Sequence, residues 1–366
     1  MIGIFGGYGD IGLNAAKLLS TSLKEEIRIG GRNADTLPKD IKEEFKNTHW
    51  VQVDINNNES IKAFITGCRI IVNCTGQSGS ASFSLAEYAK NINSSYIDVG
   101  ANEKLKTLKN ISDDVSIIYE AGSIPGLSRI VPGYLAKEFD SVEELEFYYA
   151  ALGKFTPTAA KEYLEGLFDT RNKPMMEWKN GKAQPYDINN SVLKTLPFSK
   201  EELRILPYFD KESELIAKGL NLKQGQWYMS TAGNQTIKVL EKARFNYLHN
   251  TSDVIQNLCA AAQIDCQSRE PYAGFVIQMK GLINGESTTK TLILKCDSPS
   301  QLTALAVAST VLAVSKGLFK SGVQAMGECM KVKEYIKLMT ELNKALTLDI
   351  QTSGINELFK EIEGEI

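Results

Sequence analysis

Glycines near the start of the chain form the clearest chemical pattern in the sequence. The motif Gly7-x-Gly9-x-x-Gly12 follows the apolar run Ile2–Phe5 and opens an amphipathic stretch. Between a strand and a helix, such glycines permit a tight turn, let backbone approach a pyrophosphate, and let the helix pack closely. The free N–H groups at the helix start attract phosphates. The pattern therefore predicts a dinucleotide site at this turn.

The end of the second predicted strand distinguishes between the two nicotinamide dinucleotides. An NAD site usually places Asp or Glu there, about 20 residues beyond the glycines, to bind the ribose 2′-hydroxyl. Here the segment Ile29-Gly30-Gly31-Arg32-Asn33 contains no carboxylate. The planar guanidinium of Arg32 suits a 2′-phosphate and stacking on adenine. NADP(H) is therefore the preferred cofactor, and a solvent-facing arginine is the alternative interpretation.

A second segment, residues 121–129, combines glycines with polar side chains after the sixth predicted strand. Ligands of open α/β sheets bind beyond the carboxyl ends of the strands. Pro125 suits the first turn of a helix, and the N–H groups after Gly126 would face a bound anion. Arg129 would pair with a substrate carboxylate, or else face solvent. The predicted substrate-binding residues are Gly122, Ser123, Ser128 and Arg129.

Candidates for proton transfer are few. The sequence has only two histidines, His49 in a predicted loop and His249 after a predicted helix, and neither is expected to be a proton relay. Lys154, which follows a strand leading into the second half of the chain, is the first choice, with a solvated loop lysine as the alternative. The predicted catalytic residues are Lys154, Glu120 and Tyr149, with Lys161 and Tyr163 as further donors.

The glycine motif and the 121–129 segment lie in a part of the sequence where predicted strands alternate with predicted helices. Several β-rich runs are apolar on both faces and alternate with stretches of helical period, which is typical of a doubly wound parallel sheet. The predicted strands are Ile2–Phe5, Ile27–Gly30, Trp50–Ile55, Arg69–Cys74, Ser95–Val99 and Val115–Glu120. The first part of the chain is therefore predicted to be an α/β Rossmann domain.

Beyond about residue 140 the pattern changes to alternating strands, two Asn-Gly turns and segregated helices, which indicates an α+β domain. We expect a Rossmann domain over 1–130 and 300–366, with returning C-terminal helices, and an α+β substrate and dimerisation domain over 131–299. A homodimer is predicted because this domain would leave apolar strand faces partly uncovered. Those faces carry Phe275, Ile277, Met279, Leu292 and Leu294.

Composition excludes several classes of function. The 366 residues are 43% apolar and 23% charged, as in an ordinary globular protein of about two domains. A net charge of −3 gives no basic excess for nucleic acid. The longest nearly apolar stretch, Leu302–Val314, is too short for a membrane span, and the first residues lack a signal-peptide pattern. The six cysteines form no CxxC pair, so we expect reduced thiols, no metal site and a cytoplasmic location.

Taken together, these residues resemble the saccharopine dehydrogenase-like family. Gly6, Gly9 and Gly12 also fit GxxGxxG, the spacing of short-chain dehydrogenases, but that family needs a Tyr with Lys four residues later, which no tyrosine here has. The middle of the chain, roughly 150–290, matches only loosely. The segments that carry the resemblance are Gly6–Gly12, Gly31–Asn33, Val53–Ile55, Val72–Gly76, Tyr96–Asp98, Ala121–Ser128, Leu302–Ala304, and Gly322-Val323 with Glu328.

The resemblance implies a Rossmann-type domain interrupted by a substrate and dimerisation domain, acting with NADP(H). Relatives make or break secondary amines that join an amino acid to a carbonyl compound, with hydride moving to or from an imine carbon. The family pattern implies a pyrophosphate site at Gly7, Tyr8, Gly9, Asp10 and Ile11, a 2′-phosphate site at Arg32 with Asn33, adenine contacts from Asp54 and Ile55, and Cys74, Thr75 and Gly76 running toward the nicotinamide ribose.

Two functions stay open at this point. The first is an oxidoreductase of the saccharopine or opine dehydrogenase type, acting on a small amino acid or keto acid. The second is a non-catalytic NADP(H)-binding protein, a redox sensor or scaffold that has the fold without turnover. Fold alone does not separate them.

Overall fold

The computed structural model describes residues 1–33, 39–76, 81–169, 172–187, 193–199 and 201–358. The strands are β1 Ile2–Phe5, β2 Ile27–Gly31, β3 Thr48–Gln52, β4 Ile70–Asn73, β5 Ser95–Asp98, β6 Ser116–Tyr119, β7 Ser141–Leu152, β8 Met176–Lys179, β9 Lys182–Pro185, β10 Leu193–Lys194, β11 Leu203–Arg204, β12 Leu206–Pro207, β13 Gln224–Thr231, β14 Tyr272–Ile283, β15 Glu286–Cys296, β16 Gly322–Ala325 and β17 Thr347–Gln351. The α-helices are α1 Asp10–Ser22, α2 Lys39–Glu43, α3 Asn58–Ile65, α4 Ala81–Asn91, α5 Leu127–Ala136, α6 Pro157–Gly166, α7 Lys211–Gly219, α8 Asn234–His249, α9 Thr251–Asp265, α10 Pro299–Ser315 and α11 Val332–Leu342.

The chain divides into two compact units. The first comprises Met1–Val131 and Ser300–Lys344, and the second comprises Pro132–Pro299 and Ala345–Ile366. The chain therefore leaves the first unit after α5 begins and returns to it at α10. This division differs from the expected one at the carboxyl end, because β17 pairs with β15 of the second unit instead of joining the first.

A seven-stranded parallel sheet forms the first unit, in the order β16-β6-β5-β4-β1-β2-β3. Strands β1, β4, β5 and β6 are buried at every position, as expected for parallel strands covered on both faces. All six predicted strands are present, and the predicted Rossmann class is confirmed. The order reverses between β1 and β4, and this switch point is where ligands of such sheets bind.

A mixed sheet forms the second unit, in the order β17-β15-β14-β7-β13-β8-β9, with β12 also paired to β13. Both predicted Asn-Gly hairpins form. Asn180 and Gly181 have φ of 53° and 77°, and Asn284 and Gly285 have φ of 52° and 82°. Positive φ at both central residues is what a type I′ turn requires. Helices α6, α8 and α9 share a separate apolar cluster that includes Leu164, Ala243 and Leu258.

The apolar strand faces expected to favour a dimer are already covered. Phe275, Ile277, Met279, Leu292 and Leu294 are each 0% exposed within the single chain. The premise that the domain would leave them uncovered is therefore wrong.

Two further observations bear on the expected class of protein. All six cysteines are free thiols, and Cys68, Cys296 and Cys329 are buried. Across the described ranges, no helix has both the length and the apolar character that crossing a membrane requires.

Candidate functional site

The glycine turn between β1 and α1 is shaped by close contacts that exclude side chains. Gly6 has a φ of 72°, and a Cβ there would lie 2.6 Å from the carbonyl oxygen of Cys74. A Cβ on Gly12 would lie 2.5 Å from the carbonyl oxygen of Gly6, and one on Gly7 would overlap the side chain of Ile29. Three glycines of the turn are therefore required by the packing of the protein itself.

Gly9 differs from its neighbours, because the protein leaves room at this position. Among the described residues, a Cβ there would meet only the carbonyl oxygen of Gly6, at 3.4 Å, and the φ of −85° at Gly9 suits any residue. Gly9 is also the N-cap of α1, and no side chain of the described residues caps the free N–H groups of the first helical turn. A phosphate brought against Gly9 would meet those N–H groups, including the ones of Asp10 and Ile11. The turn thus fits a dinucleotide pyrophosphate.

Tyr8 crosses the ends of β2 and β3. Its hydroxyl donates to the carbonyl oxygen of Val51 at 3.0 Å, and its ring lies 5.8 Å from that of Trp50. A Cβ on Gly31 would overlap the Tyr8 ring, so the two residues are in direct contact. The position of Tyr8 therefore fixes the backbone immediately before Arg32.

Arg32 follows β2 directly and is exposed. It makes no hydrogen bond or ion pair with any residue of the described ranges, so its guanidinium is available to an anion. Asn33 is exposed beside it. At the end of β3, one carboxylate oxygen of Asp54 accepts from the backbone and side-chain nitrogens of Asn56, at 2.9 and 3.1 Å. The next residue, Ile55, packs against the apolar core of the first unit.

The turn after β4 touches the glycine turn. The Cβ position at Gly6 is 2.9 Å from the backbone nitrogen of Thr75. Burial and the nearby Asp98 raise the pKa of the Cys74 thiol to about 12. Cys74 is therefore a protonated thiol near neutral pH, which suits a small packing residue and not a nucleophile. Gly76 ends this part of the described chain and is half-buried.

A buried carboxylate at the end of β5 was given no role by the sequence analysis. Asp98 is 0% exposed and accepts hydrogen bonds from Asn73 at 3.1 Å, Tyr96 at 2.7 Å, the backbone nitrogen of Gly100 at 2.7 Å, and Ser82. Burial raises the pKa of Asp98, and these donors oppose the rise by stabilising the carboxylate. The sequence signal was an ionisable residue at the end of a predicted strand of the parallel sheet.

The segment before α5 is folded tightly on itself. The backbone nitrogens of Leu127 and Ser128 donate to the carbonyls of Gly122 and Ser123, each at 3.0 Å. Those of Arg129 and Ile130 donate to the Gly126 carbonyl, at 3.0 and 3.1 Å. The prediction that these N–H groups face a bound anion is therefore wrong, because carbonyls of the same segment already accept them.

Side chains of this segment have distinct surroundings. The Ser123 and Thr303 hydroxyls share a hydrogen bond of 3.0 Å, and Ser128 is buried. The aliphatic part of Arg129 packs against Gly327, where a Cβ would lie 2.6 Å from its Cδ. The side chain of Arg129 makes no hydrogen bond or ion pair with the residues described, and the residue is half-buried.

The predicted proton-transfer residues lie in both units. Glu120 of the first unit follows β6 with a φ of 58° and is half-buried. The sequence analysis missed its neighbour Lys106, whose pKa is raised by a hydrogen bond with Tyr119 and by the charges of Glu328 and Glu120.

In the second unit, the exposed Lys154 follows β7, and the half-buried Tyr149 ring lies 5.2 Å from that of Phe275.

Comparison with known proteins identifies relatives of both the sequence and the fold. Residues 2–120 match the family model described as the saccharopine dehydrogenase NADP binding domain. Apo histidine-tagged saccharopine dehydrogenase (L-Glu forming) from Saccharomyces cerevisiae is similar over 96% of this chain and 99% of its own, with 13% identity and a TM-score of 0.70. C. glutamicum DAP dehydrogenase in complex with DAP is similar over 98% of each chain, with 14% identity and a TM-score of 0.49. No curated protein matches the sequence.

Proposed function

We propose that this saccharopine dehydrogenase-like chain is an NADP(H)-dependent oxidoreductase, acting on an imine or carbonyl derived from an amino acid. The family model over the first unit and the fold shared by the whole chain support this class. Two features together support NADP(H) as the cofactor, and they follow the neighbouring strands β1 and β2. Gly9 leaves room for a pyrophosphate at the start of α1, and Arg32, which has no partner among the described residues, stands where an NAD site would place a carboxylate.

Each part of the cofactor has a proposed set of residues. The pyrophosphate would lie on the backbone of Gly7–Ile11, and Arg32 with Asn33 would bind the 2′-phosphate. Asp54 and Ile55 would border the adenine, and the turn Cys74–Gly76 would continue toward the nicotinamide ribose. When bound, NADPH supplies the hydride, and the protein holds the reactants in place.

For the substrate, we propose a carboxylate bound by Arg129 with Ser123 and Ser128, beside the backbone of Gly122. The Arg129 stem is supported by Gly327, and its charge is unpaired among the described residues, so an anion would offset it. Lys154, Tyr149 and Glu120 remain the proposed donors for the proton that accompanies hydride transfer. The free thiols are in keeping with a reducing, cytoplasmic compartment.

Oxidation of NADPH against a panel of amino acids paired with keto acids or aldehydes tests the proposal. Turnover with an amino acid and carbonyl pair, and none with either alone, is expected of an enzyme that joins them through an imine. Tight NADPH binding with no turnover across the panel would favour the redox sensor or scaffold instead. Light scattering at micromolar concentration would test the homodimer that the family resemblance implies.

Arg129→Ala is expected to raise the KM for the carboxylate substrate and to leave NADPH affinity unchanged. Loss of a charge-assisted hydrogen bond, worth about 1.5–3 kcal/mol, lowers kcat/KM roughly ten- to a hundredfold. Steady-state kinetics and a separate NADPH titration measure the two effects. Arg129→Met is the matched control, since it keeps a stem against Gly327 and removes only the charge. Full activity in Arg129→Met would show that the guanidinium does not bind substrate.

A further inference from the structure

The buried carboxylate of Asp98 links the ends of neighbouring strands in the first unit. Its side chain holds the Asn73 amide at the end of β4 and the Ser82 hydroxyl in the first turn of α4. Its backbone carbonyl accepts from the nitrogen of Ala121, just beyond β6, at 2.9 Å. Three consecutive strand ends and the start of one helix are therefore tied to a single residue.

The link continues from Asn73 to the turn that follows it. With its nitrogen committed to Asp98, the Asn73 side-chain oxygen accepts from both the backbone nitrogen and the hydroxyl of Thr75, at 3.1 and 2.6 Å. Thr75 lies directly against Gly6 of the glycine turn. A chain of hydrogen bonds and one packing contact thus runs from Asp98 to the glycine turn.

A contribution to folding stability does not by itself explain why Asp98 is buried in this network. Asp98 is wholly buried and has no ion pair in the described part of the chain, so its charge is supported by dipoles only. Burying a carboxylate without a cation is costly, and replacing buried polar groups with packed apolar ones is often neutral or stabilising. What a fully satisfied polar network does provide is one fixed arrangement of its members.

We propose that Asp98, acting through Asn73, is a positioning residue that holds the turn after β4 at a fixed distance from the glycine turn for the nicotinamide half of NADPH. The inference rests on the proposed cofactor. In the strand order β5-β4-β1-β2-β3, this network lies at β4 and β5 on one side of β1, whereas Arg32 follows β2 on the other side. Disturbing Asp98 should therefore weaken one half of the cofactor site and spare the other.

Two ligands and a matched pair of serine variants separate positioning from simple stability. NADPH spans both halves of the site, whereas adenosine 2′,5′-bisphosphate occupies only the adenine half. Ser82→Ala removes one buried hydroxyl donor from Asp98. Ser94→Ala removes an equally buried hydroxyl donor at the opposite end of β5, where it bonds the carbonyl of Cys68 at 2.6 Å. Asp98→Asn and Thr75→Val extend the series along the network.

We expect Ser82→Ala, Asp98→Asn and Thr75→Val each to weaken NADPH binding by about tenfold. Each variant removes or alters one hydrogen bond of the network, and a tenfold loss of affinity corresponds to about one lost hydrogen bond. Affinity for adenosine 2′,5′-bisphosphate should stay within about twofold of the wild type in all three. Ser94→Ala should lower the melting temperature and leave both affinities unchanged.

Two results would overturn the inference while leaving the proposed function in place. One is unchanged NADPH affinity in Ser82→Ala and Thr75→Val. The other is an equal loss of affinity for both ligands, which would mean that the network only holds the unit together. If Asp98→Asn does not fold, those two milder variants decide. A wild-type protein that binds neither ligand would overturn the proposed function and this inference with it.

Discussion

Gly9→Ala is expected to abolish NADPH binding at micromolar concentrations and to leave the protein folded. The added methyl would stand where the pyrophosphate must meet the start of α1, and within the described ranges it meets one atom, the Gly6 carbonyl oxygen, at 3.4 Å. Displacing the phosphates from two N–H groups costs about 3–6 kcal/mol, at about 1.5–3 kcal/mol for each hydrogen bond to a charge. Affinity should therefore fall roughly a hundredfold or more, as measured by NADPH fluorescence titration.

Gly12→Ala is the informative control for this experiment. Its methyl would lie 2.5 Å from the Gly6 carbonyl oxygen and 2.8 Å from the Gly7 Cα, so the turn itself must distort. We expect a lower melting temperature for Gly12→Ala and a wild-type one for Gly9→Ala. Normal NADPH binding by a folded Gly9→Ala would mean that no phosphate approaches this turn.

Arg32→Glu is expected to reverse the preference between NADPH and NADH. The wild type should bind NADPH roughly ten- to a hundredfold more tightly, since the guanidinium adds a charge-assisted hydrogen bond of about 1.5–3 kcal/mol to the 2′-phosphate. The glutamate would repel that phosphate and accept from a ribose 2′-hydroxyl instead. Titration of both dinucleotides against both proteins measures the reversal.

Arg32→Ala serves as the neutral control for the charge reversal. It should weaken NADPH and adenosine 2′,5′-bisphosphate equally and leave NADH affinity unchanged, because only the 2′-phosphate contact is removed. This is the opposite of the pattern expected for the Asp98 network. Equal wild-type affinities for NADPH and NADH would contradict the assignment of Arg32 to the 2′-phosphate.

The first unit was predictable from the sequence because its signals are local. Buried parallel strands read as apolar runs, and the glycines of the turn mark close contacts that the structure shows at Gly6, Gly7 and Gly12. At Gly9 no contact with the described residues requires a glycine, so the sequence pattern and the structure together favour a ligand-binding role for this position.

The second unit was harder to predict, because its central strand does not follow simple alternation. In β7 both Phe147 and the next residue, Tyr148, are buried, since the strand is covered on both faces. It is also antiparallel to β14 and parallel to β13, which no local pattern encodes. Likewise, the loop before α5 has the composition of an anion-binding loop, yet carbonyls such as that of Gly122 accept hydrogen bonds from its N–H groups. That pairing depends on the folded geometry of the loop and not on its composition.

The return of the chain to the first unit has a consequence for its synthesis. Strand β16 completes the parallel sheet by pairing with β6, and the Ser116 hydroxyl bonds the carbonyl of Lys320, 204 residues later. At about 5–20 residues per second, a ribosome needs roughly 10–40 s to supply that partner. During this interval β6 is an open sheet edge, the kind of surface on which nascent chains associate. Fragments that end near residue 131 would keep that edge open permanently, so the first unit is best studied in a chain that includes β16.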